Sequence, residues 1–408
     1  MSRPIDSIDF WFDYSCPYAY LASTQVEALA QRTGAKLAWK PMLLGGVFRA
    51  VETPQNLMNV LGPAKAAHNL ADMHRWADYF GVPLTMPPTH PMRTVEALRA
   101  TLATGIDPRV VHGFYRAYWV DGRQPSAPDT IRDVLRAAGH DPEAVLARLG
   151  DDSLKNDLRA RTDRAIALGL FGAPAYGVNG TDLYWGQDRM DMIEQPRASH
   201  IASGAPREGT PMSTKRTLEL YWDFSSPFAY LAATQAEALA QRTGAELVWR
   251  PMLLGGVFKS IGQVDVPIST WSDAKRRYYF QDMTRWAEYW NVPFNFPSRF
   301  PMNTVKSLRA WLALPESRRK GFLDKTFCAY WAEDRDINDD AVLAELIGPD
   351  GADVLMKTQA PEIKKGLIEA TQRAVDAGVF GAPAWIIDGK DLYWGQDRIA
   401  LVEKALTR

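Results

Sequence analysis

The sequence predicts an α/β protein in which one unit, made of strand, helix, strand, a helical middle and a closing hairpin, occurs twice. Three observations carry that expectation. The stretch Asp13-Tyr14-Ser15-Cys16-Pro17-Tyr18-Ala19-Tyr20-Leu21-Ala22 returns as Asp223-Phe224-Ser225-Ser226-Pro227-Phe228-Ala229-Tyr230-Leu231-Ala232. Residues 15–48 match residues 225–258 at 27 of 34 positions without a gap, which marks duplication of a complete unit. Each half then closes on a second shared block, Gly-Ala-Pro-Ala at 172–175 and 381–384, followed by Trp-Gly-Gln-Asp-Arg at 185–189 and 394–398.

The bulk numbers agree with two folded domains. A chain of 408 residues exceeds one ordinary core. Hydrophobic content of 46% with 23% charged residues describes a globular protein. A formal net charge of -1 supplies no field for nucleic acid or an anionic membrane, so neither is expected as a partner. No apolar run reaches the ~20 residues of a membrane span. The N-terminal residues lead straight into the first strand without a signal-peptide apolar region. Two cysteines, Cys16 and Cys328, cannot build a disulfide framework. A reducing, cytoplasmic location is the expectation.

In chain order, the apolar runs Ile8–Phe12 and Leu218–Trp222 read as strands, each entering a turn and a helix with proline in its first turn. Gly34 and Gly244 then act as C-caps ahead of second strands, Ala35–Pro41 and Ala245–Pro251. Strand, helix, strand at this spacing makes a right-handed unit with parallel strands. Apolar periodicity and Pro/Gly punctuation place helices at 69–80, 92–103, 109–119, 130–138, 142–149 and 154–168. In the second half they fall at 278–290, 302–313, 322–331, 340–346 and 361–377. Asn179-Gly180 and Asp388-Gly389 are hairpin turns, each with a short helix after the hairpin. That order is a thioredoxin-like fold with a helical domain inserted in its middle. It divides the chain into 1–196, a Ser/Gly/Pro/Thr-rich linker 197–215, and 216–408.

Residues 16 and 226 sit where a helix N-terminus favours a nearby anion. For Ser226 the structural alternative is an N-cap contributing about 1 kcal/mol. Cys16 is not a preferred cap residue, and a thiol at a helix start is expected to ionise below the free value of about 8.5. Position 19 is Ala, so Cys16 has no resolving partner. Only about 5–6% of X–Pro bonds in folded proteins are cis, so residues alone leave Ala173-Pro174 and Ala382-Pro383 trans. Gln187-Asp188 and Gln396-Asp397 read equally as ordinary first-turn residues. Trp39, Trp185 and their partners read most simply as core aromatics. All six histidines precede residue 201, so Ser226 has no base from its own half for a Ser–His–Asp triad. Neither half shows Cys/His spacing for a metal.

Taken together, Ser-Pro-Phe-Ala-Tyr-Leu-Ala at 226–232, Trp-Arg-Pro-Met-Leu-Leu-Gly at 249–255, and Gly-Val-Phe-Gly-Ala-Pro-Ala-Trp at 378–385 followed by Trp-Gly-Gln-Asp-Arg are specific. Each half resembles 2-hydroxychromene-2-carboxylate isomerase, within the DsbA-like and kappa-class glutathione transferase group. The resemblance implies glutathione as cofactor. Ser226 would orient its sulfur, and Ala382 ahead of a cis Pro383 would pair with its backbone. Gln396 and Asp397 would hold its γ-glutamyl end, with Trp394 and Gly395 also among the cofactor-binding positions. The matching positions of the first half are Cys16, Ala173, Pro174, Trp185, Gly186, Gln187 and Asp188. The chain departs from the family in fusing two units and in carrying Cys at 16.

The implied activity is glutathione-dependent cis/trans isomerisation of an aromatic-degradation intermediate such as 2-hydroxychromene-2-carboxylate, with the cofactor supplying the nucleophile. The alternatives are thiol–disulfide oxidoreductase or glutathione transferase chemistry at Cys16, and a non-catalytic glutathione-binding scaffold. A small aromatic substrate is the expected partner. The two halves are expected to pair with each other or in a homodimer.

Overall fold

The computed structural model describes residues 4–54, 60–194, 215–264 and 266–408. The linker expected at 197–215 lies outside them apart from Lys215. The described residues pack as two compact units. The first holds those of 1–61 and 69–196 together with Trp271–Asp282. The second holds Gly62–His68 and the remaining described residues. Segments 62–68 and 271–282 therefore pack outside the halves to which the sequence division gives them.

In the first unit, β1 (Ser7–Phe12) pairs in parallel with β2 (Lys36–Pro41) and antiparallel with β3 (Ala175–Val178), which pairs with β4 (Asp182–Trp185). The sheet order is β2-β1-β3-β4. Between β1 and β2 lie α1 (Pro17–Ser23) and α2 (Val26–Thr33). The middle holds α3 (Leu44–Ala50), the part of α4 (Pro63–Phe80) from residue 69 on, α5 (Val95–Ala103), α6 (Pro108–Trp119), α7 (Pro128–Ala137), α8 (Pro142–Arg148) and α9 (Asp152–Ala167). A 3-10 turn at Gln187–Arg189 and α10 (Met190–Glu194) end the unit.

The second unit repeats this scheme, with sheet order β6-β5-β7-β8 from β5 (Thr217–Trp222), β6 (Glu246–Pro251), β7 (Ala384–Ile387) and β8 (Asp391–Trp394). Its helices are α11 (Pro227–Thr243), α12 (Leu254–Ser260), the part of α13 (Asp273–Tyr289) from residue 283 on, α14 (Val305–Ala313), α15 (Glu316–Trp331), α16 (Asp340–Ile347), α17 (Gly351–Lys357), α18 (Pro361–Asp376) and α19 (Ile399–Leu406). A 3-10 turn at Gln396–Arg398 precedes α19.

Local chemistry accounts for these elements. Alternating apolar residues on β1 send Phe10 and Phe12 into one core, where both are fully buried. Trp119 of α6 donates its indole N–H to Tyr14 O at 2.8 Å, and Trp331 of α15 donates to Phe224 O at the same distance. Those bonds fix the turn after each first strand against the helical insert. Both hairpins turn through left-handed residues, Asn179 and Gly180 at φ 51° and 71°, Asp388 and Gly389 at φ 51° and 69°. The Asn179 and Asp388 side chains accept N–H bonds from the start of the first strands.

Several details escape the sequence reading, among them helix α17 and the first turns of α15. The Met-Leu-Leu-Gly-Gly-Val-Phe segments form helices α3 and α12, begun at Leu44 and Leu254. The helix expected from Met92 begins at Val95, because Met92 N–H bonds Tyr118 Oη at 2.7 Å and Thr94 bonds Asp13. The first helix of the first unit breaks between Ser23 and Val26, whereas α11 is continuous. Ser23 and Thr24 both return hydrogen bonds to the preceding turn, and the second unit has Ala233 in place of Ser23.

Candidate functional site

The strand-to-helix turns place residues 16 and 226 as N-caps, with extended backbone at φ -99° and -105°. Both Ala173-Pro174 and Ala382-Pro383 are cis. Each puts a carbonyl against the cap residue. Cys16 Sγ donates to Ala173 O at 3.0 Å, and Ser226 Oγ donates to Ala382 O at 3.0 Å. Ser226 Oγ also accepts from Ala229 N at 3.1 Å, a capping bond for which Cys16 has no counterpart. The N-cap reading of Ser226 is therefore correct, and it coexists with the contact to the proline loop.

The thiol differs from expectation. Cys16 is buried at 8% exposure. Burial pushes its pKa up to about 12; the Tyr18 and Ala19 N–H groups pull the other way, and Asp13 adds to the rise. The expected depression by the helix N-terminus fails because desolvation of the thiolate outweighs the pull of those two N–H groups. At neutral pH Cys16 is a protonated donor.

A buried carboxylate missed by sequence reading underlies each turn. Asp13 accepts from Ser15 N–H, Leu44 N–H at 2.8 Å and the Thr94 hydroxyl at 2.8 Å. Asp223 accepts from Ser225 N–H, Leu254 N–H and the Thr304 hydroxyl in the same pattern. Burial raises both pKa values against these bonds. The only sequence signal was Asp at the same offset in both repeats.

The second block closes on the proline loop. Gly186 N donates to Pro174 O, and Gly395 N to Pro383 O, each at 3.0 Å. Gly186 and Gly395 sit at φ 110° and 115°, where a Cβ would stand 2.4 Å from Asp188 Oδ1 and Asp397 Oδ1. The turns at 187–189 and 396–398 pack on α1 and α11. Residues 16, 173, 174 and 186–188 thus gather at one end of the first sheet, and 226, 382, 383 and 395–397 at the same end of the second. Trp39 is a core aromatic as read, but its partner Trp249, and Trp185 and Trp394, are half-buried. The Trp185 and Trp394 indole N–H groups have no partner among the described residues, nor does Nε2 of the buried Gln187. Each indole lies over a glycine, and a Cβ on Gly172 or Gly381 would meet its Nε1 at 2.6 or 2.4 Å.

The exchanged segments reach these tryptophans. In the second unit Trp394 N donates to His68 Nε2 at 3.0 Å, and Lys65 Nζ lies 4.9 Å from the Trp394 ring centre. Burial lowers the Lys65 pKa. The second unit therefore does own a histidine, although the Ser226 hydroxyl is bonded to Ala382 and Ala229. In the first unit Trp185 N donates to Tyr278 Oη at 2.9 Å, and Arg189 pairs with Asp282 at 2.8 Å. Lys65 and His68 carry no motif, and only packing reveals them. Among the described residues no cluster of His, Cys, Asp and Glu could hold a metal ion, and no helix is long and apolar enough to cross a membrane.

The family model of the DSBA-like thioredoxin domain matches residues 7–196 and again 217–407. A 2-hydroxychromene-2-carboxylate isomerase of Sphingobium xenophagum is 29% identical over 194 residues, covering 47% of this chain and 98% of that protein. Glutathione S-transferase kappa 1 of Caenorhabditis elegans is 28% identical over 213 residues, covering 47% and 92%. A solved 2-hydroxychromene-2-carboxylate isomerase structure aligns at 26% identity and a TM-score of 0.42, covering 46% of this chain and 92% of that one.

Proposed function

Because the chain belongs, in both its halves, to the DSBA-like thioredoxin domain family, we propose that it is a glutathione-dependent enzyme whose working centre is at Ser226. Relatives covered over nearly their whole length are named isomerases and glutathione transferases, which supports an enzyme. The finer reading is cis/trans isomerisation of a conjugated aromatic-degradation intermediate. The observation that carries it is the Ser226 hydroxyl, held at the N-terminus of a 17-residue helix and 3.0 Å from the carbonyl before a cis proline.

The residues present fit the peptide. Around each proline loop stand donors without acceptors, namely the Trp185 and Trp394 indoles and Gln187 Nε2. Lys65 adds a cation over Trp394. Ala382 would pair its backbone with an extended peptide, Gln396 and Asp397 would hold an amino-acid end, and Lys65 would face a carboxylate. When bound, glutathione supplies a sulfur nucleophile for reversible addition to a conjugated double bond. Ser226 turns its proton from Ala382 O to the incoming sulfur, and the α11 N-terminus favours negative charge there. Asp223 holds the turn that aims both.

The first unit matches this frame with a protonated thiol. Its raised pKa and lack of a resolving cysteine count against thiol–disulfide exchange at Cys16. Calorimetric titration of the full chain with glutathione, together with absorbance turnover of 2-hydroxychromene-2-carboxylate, tests the proposal. Absence of both binding and glutathione-dependent turnover would refute it.

A further inference from the structure

The two units differ at one strand position in a way that changes their interior. β3 carries Gly177, paired with Asp9, where β7 carries Ile386, paired with Glu219. Ile386 is buried at 2% exposure. Beside Gly177 the first unit has an open pocket of about 430 Å³ on the α9 face of its sheet, within the size range of small-molecule sites. Leu168, Leu170 and Leu183 give it apolar walls.

Its polar groups point to a ligand. Trp11 lines the cavity and is 4% exposed, yet its indole N–H has no partner among the described residues. A Cβ on Gly177 would stand 3.9 Å from that nitrogen, so the N–H borders the space the glycine leaves. A buried donor without an acceptor is unfavourable, and a ligand acceptor relieves it. Two of the lining cations are already neutralised, Lys40 by Asp9 at 3.3 Å and Arg161 by Asp157 at 2.9 Å. Arg164 has no carboxylate partner among the described residues. Asp182 lies at the hairpin end, opposite Val178, away from Trp11 opposite Ala175.

The second unit lacks the combination. Tyr221 replaces Trp11 and gives its hydroxyl proton to Glu219 at 3.5 Å, and Ile386 fills the space. We propose that the first unit binds a small apolar carboxylate in the Gly177 cavity. The carboxylate accepts from Trp11 Nε1 and Arg164, and the flat body rests on the three leucines. This site is separate from the proline-loop site and does not depend on the function proposed above.

Equilibrium dialysis of 1-naphthoate against the full chain, with glutathione present in excess, tests it. A saturable site that depends on Gly177 is expected, apart from binding at the Ser226 centre. Gly177→Ile, which copies the second unit, weakens that site about tenfold or more. Trp11→Phe keeps a ring in place and weakens it about fivefold or more by removing the donor. The neutral 1-naphthalenemethanol binds about tenfold more weakly than the acid. No saturable site, or equal binding by Gly177→Ile, overturns the proposal. If Gly177→Ile does not fold, unchanged affinity in Trp11→Phe overturns it.

Discussion

The Ser226 hydroxyl donates to the carbonyl of Ala382 at 3.0 Å, and Cys16 donates to the carbonyl of Ala173 at the same distance. The duplicated turn thus holds one contact with two different protons. A hydroxyl can redirect its proton to a sulfur and never ionises at working pH. The thiol must lose its proton to become reactive, and its surroundings oppose that.

That difference fixes the reactivity of Cys16. With its pKa pushed up to about 12, the thiolate fraction is very small at neutral pH and grows as pH rises. In a Cys328→Ser background, alkylation by iodoacetamide followed by mass spectrometry should be slow at neutral pH. Its rate should climb about tenfold per pH unit well above the range of an ordinary thiol. A rate that levels off near neutrality would restore thiol chemistry at Cys16.

Asp223 should matter for folding as well as for the site. Asp223→Ala leaves the Leu254 N–H and the Thr304 hydroxyl without their acceptor. Leaving these two donors, one of them buried, without an acceptor costs roughly 2–6 kcal/mol at most. Urea unfolding followed by circular dichroism should show the second unit's transition moving to lower denaturant. An unchanged midpoint would mean that water or a neighbour takes over both bonds.

Gly381 should control the tryptophan beside the proline loop. A Cβ there would stand 2.4 Å from Trp394 Nε1, closer than packing permits, so Gly381→Ala must displace the indole. Glutathione affinity measured by calorimetry should fall about tenfold or more, while Gly172→Ala acts on the first unit. Retained affinity in Gly381→Ala would remove Trp394 from the site.

The repeat made much of this legible. Two copies of each motif pointed to the parallel strand–helix–strand units, the hairpins and the cap residues 16 and 226, since local patterning and turn chemistry act over a few residues. The resemblance, and not the residues alone, pointed to the cis bonds at Ala173-Pro174 and Ala382-Pro383. What stayed hidden depends on tertiary packing. The Cys16 pKa reverses because burial outweighs the helix terminus. Lys65 and His68 reach Trp394 from a helix that the sequence assigns to the other half, and no spacing rule contains that exchange. The Gly177 cavity is visible only against Ile386, in a folded sheet.

The central claim is that the Ser226 hydroxyl stabilises a bound thiolate. Ultraviolet titration of glutathione bound to the full chain, compared with Ser226→Ala, tests it most directly. Removing one charge-assisted hydrogen bond, worth about 1.5–3 kcal/mol, should raise the bound thiol's pKa by about one to two units. Affinity should hold, and neutral-pH turnover should fall about 10 to 100-fold. In parallel, Cys16→Ser should keep or increase turnover. An unchanged thiol pKa in Ser226→Ala, with activity abolished by Cys16→Ser instead, would contradict the account and place the chemistry at the first unit's thiol.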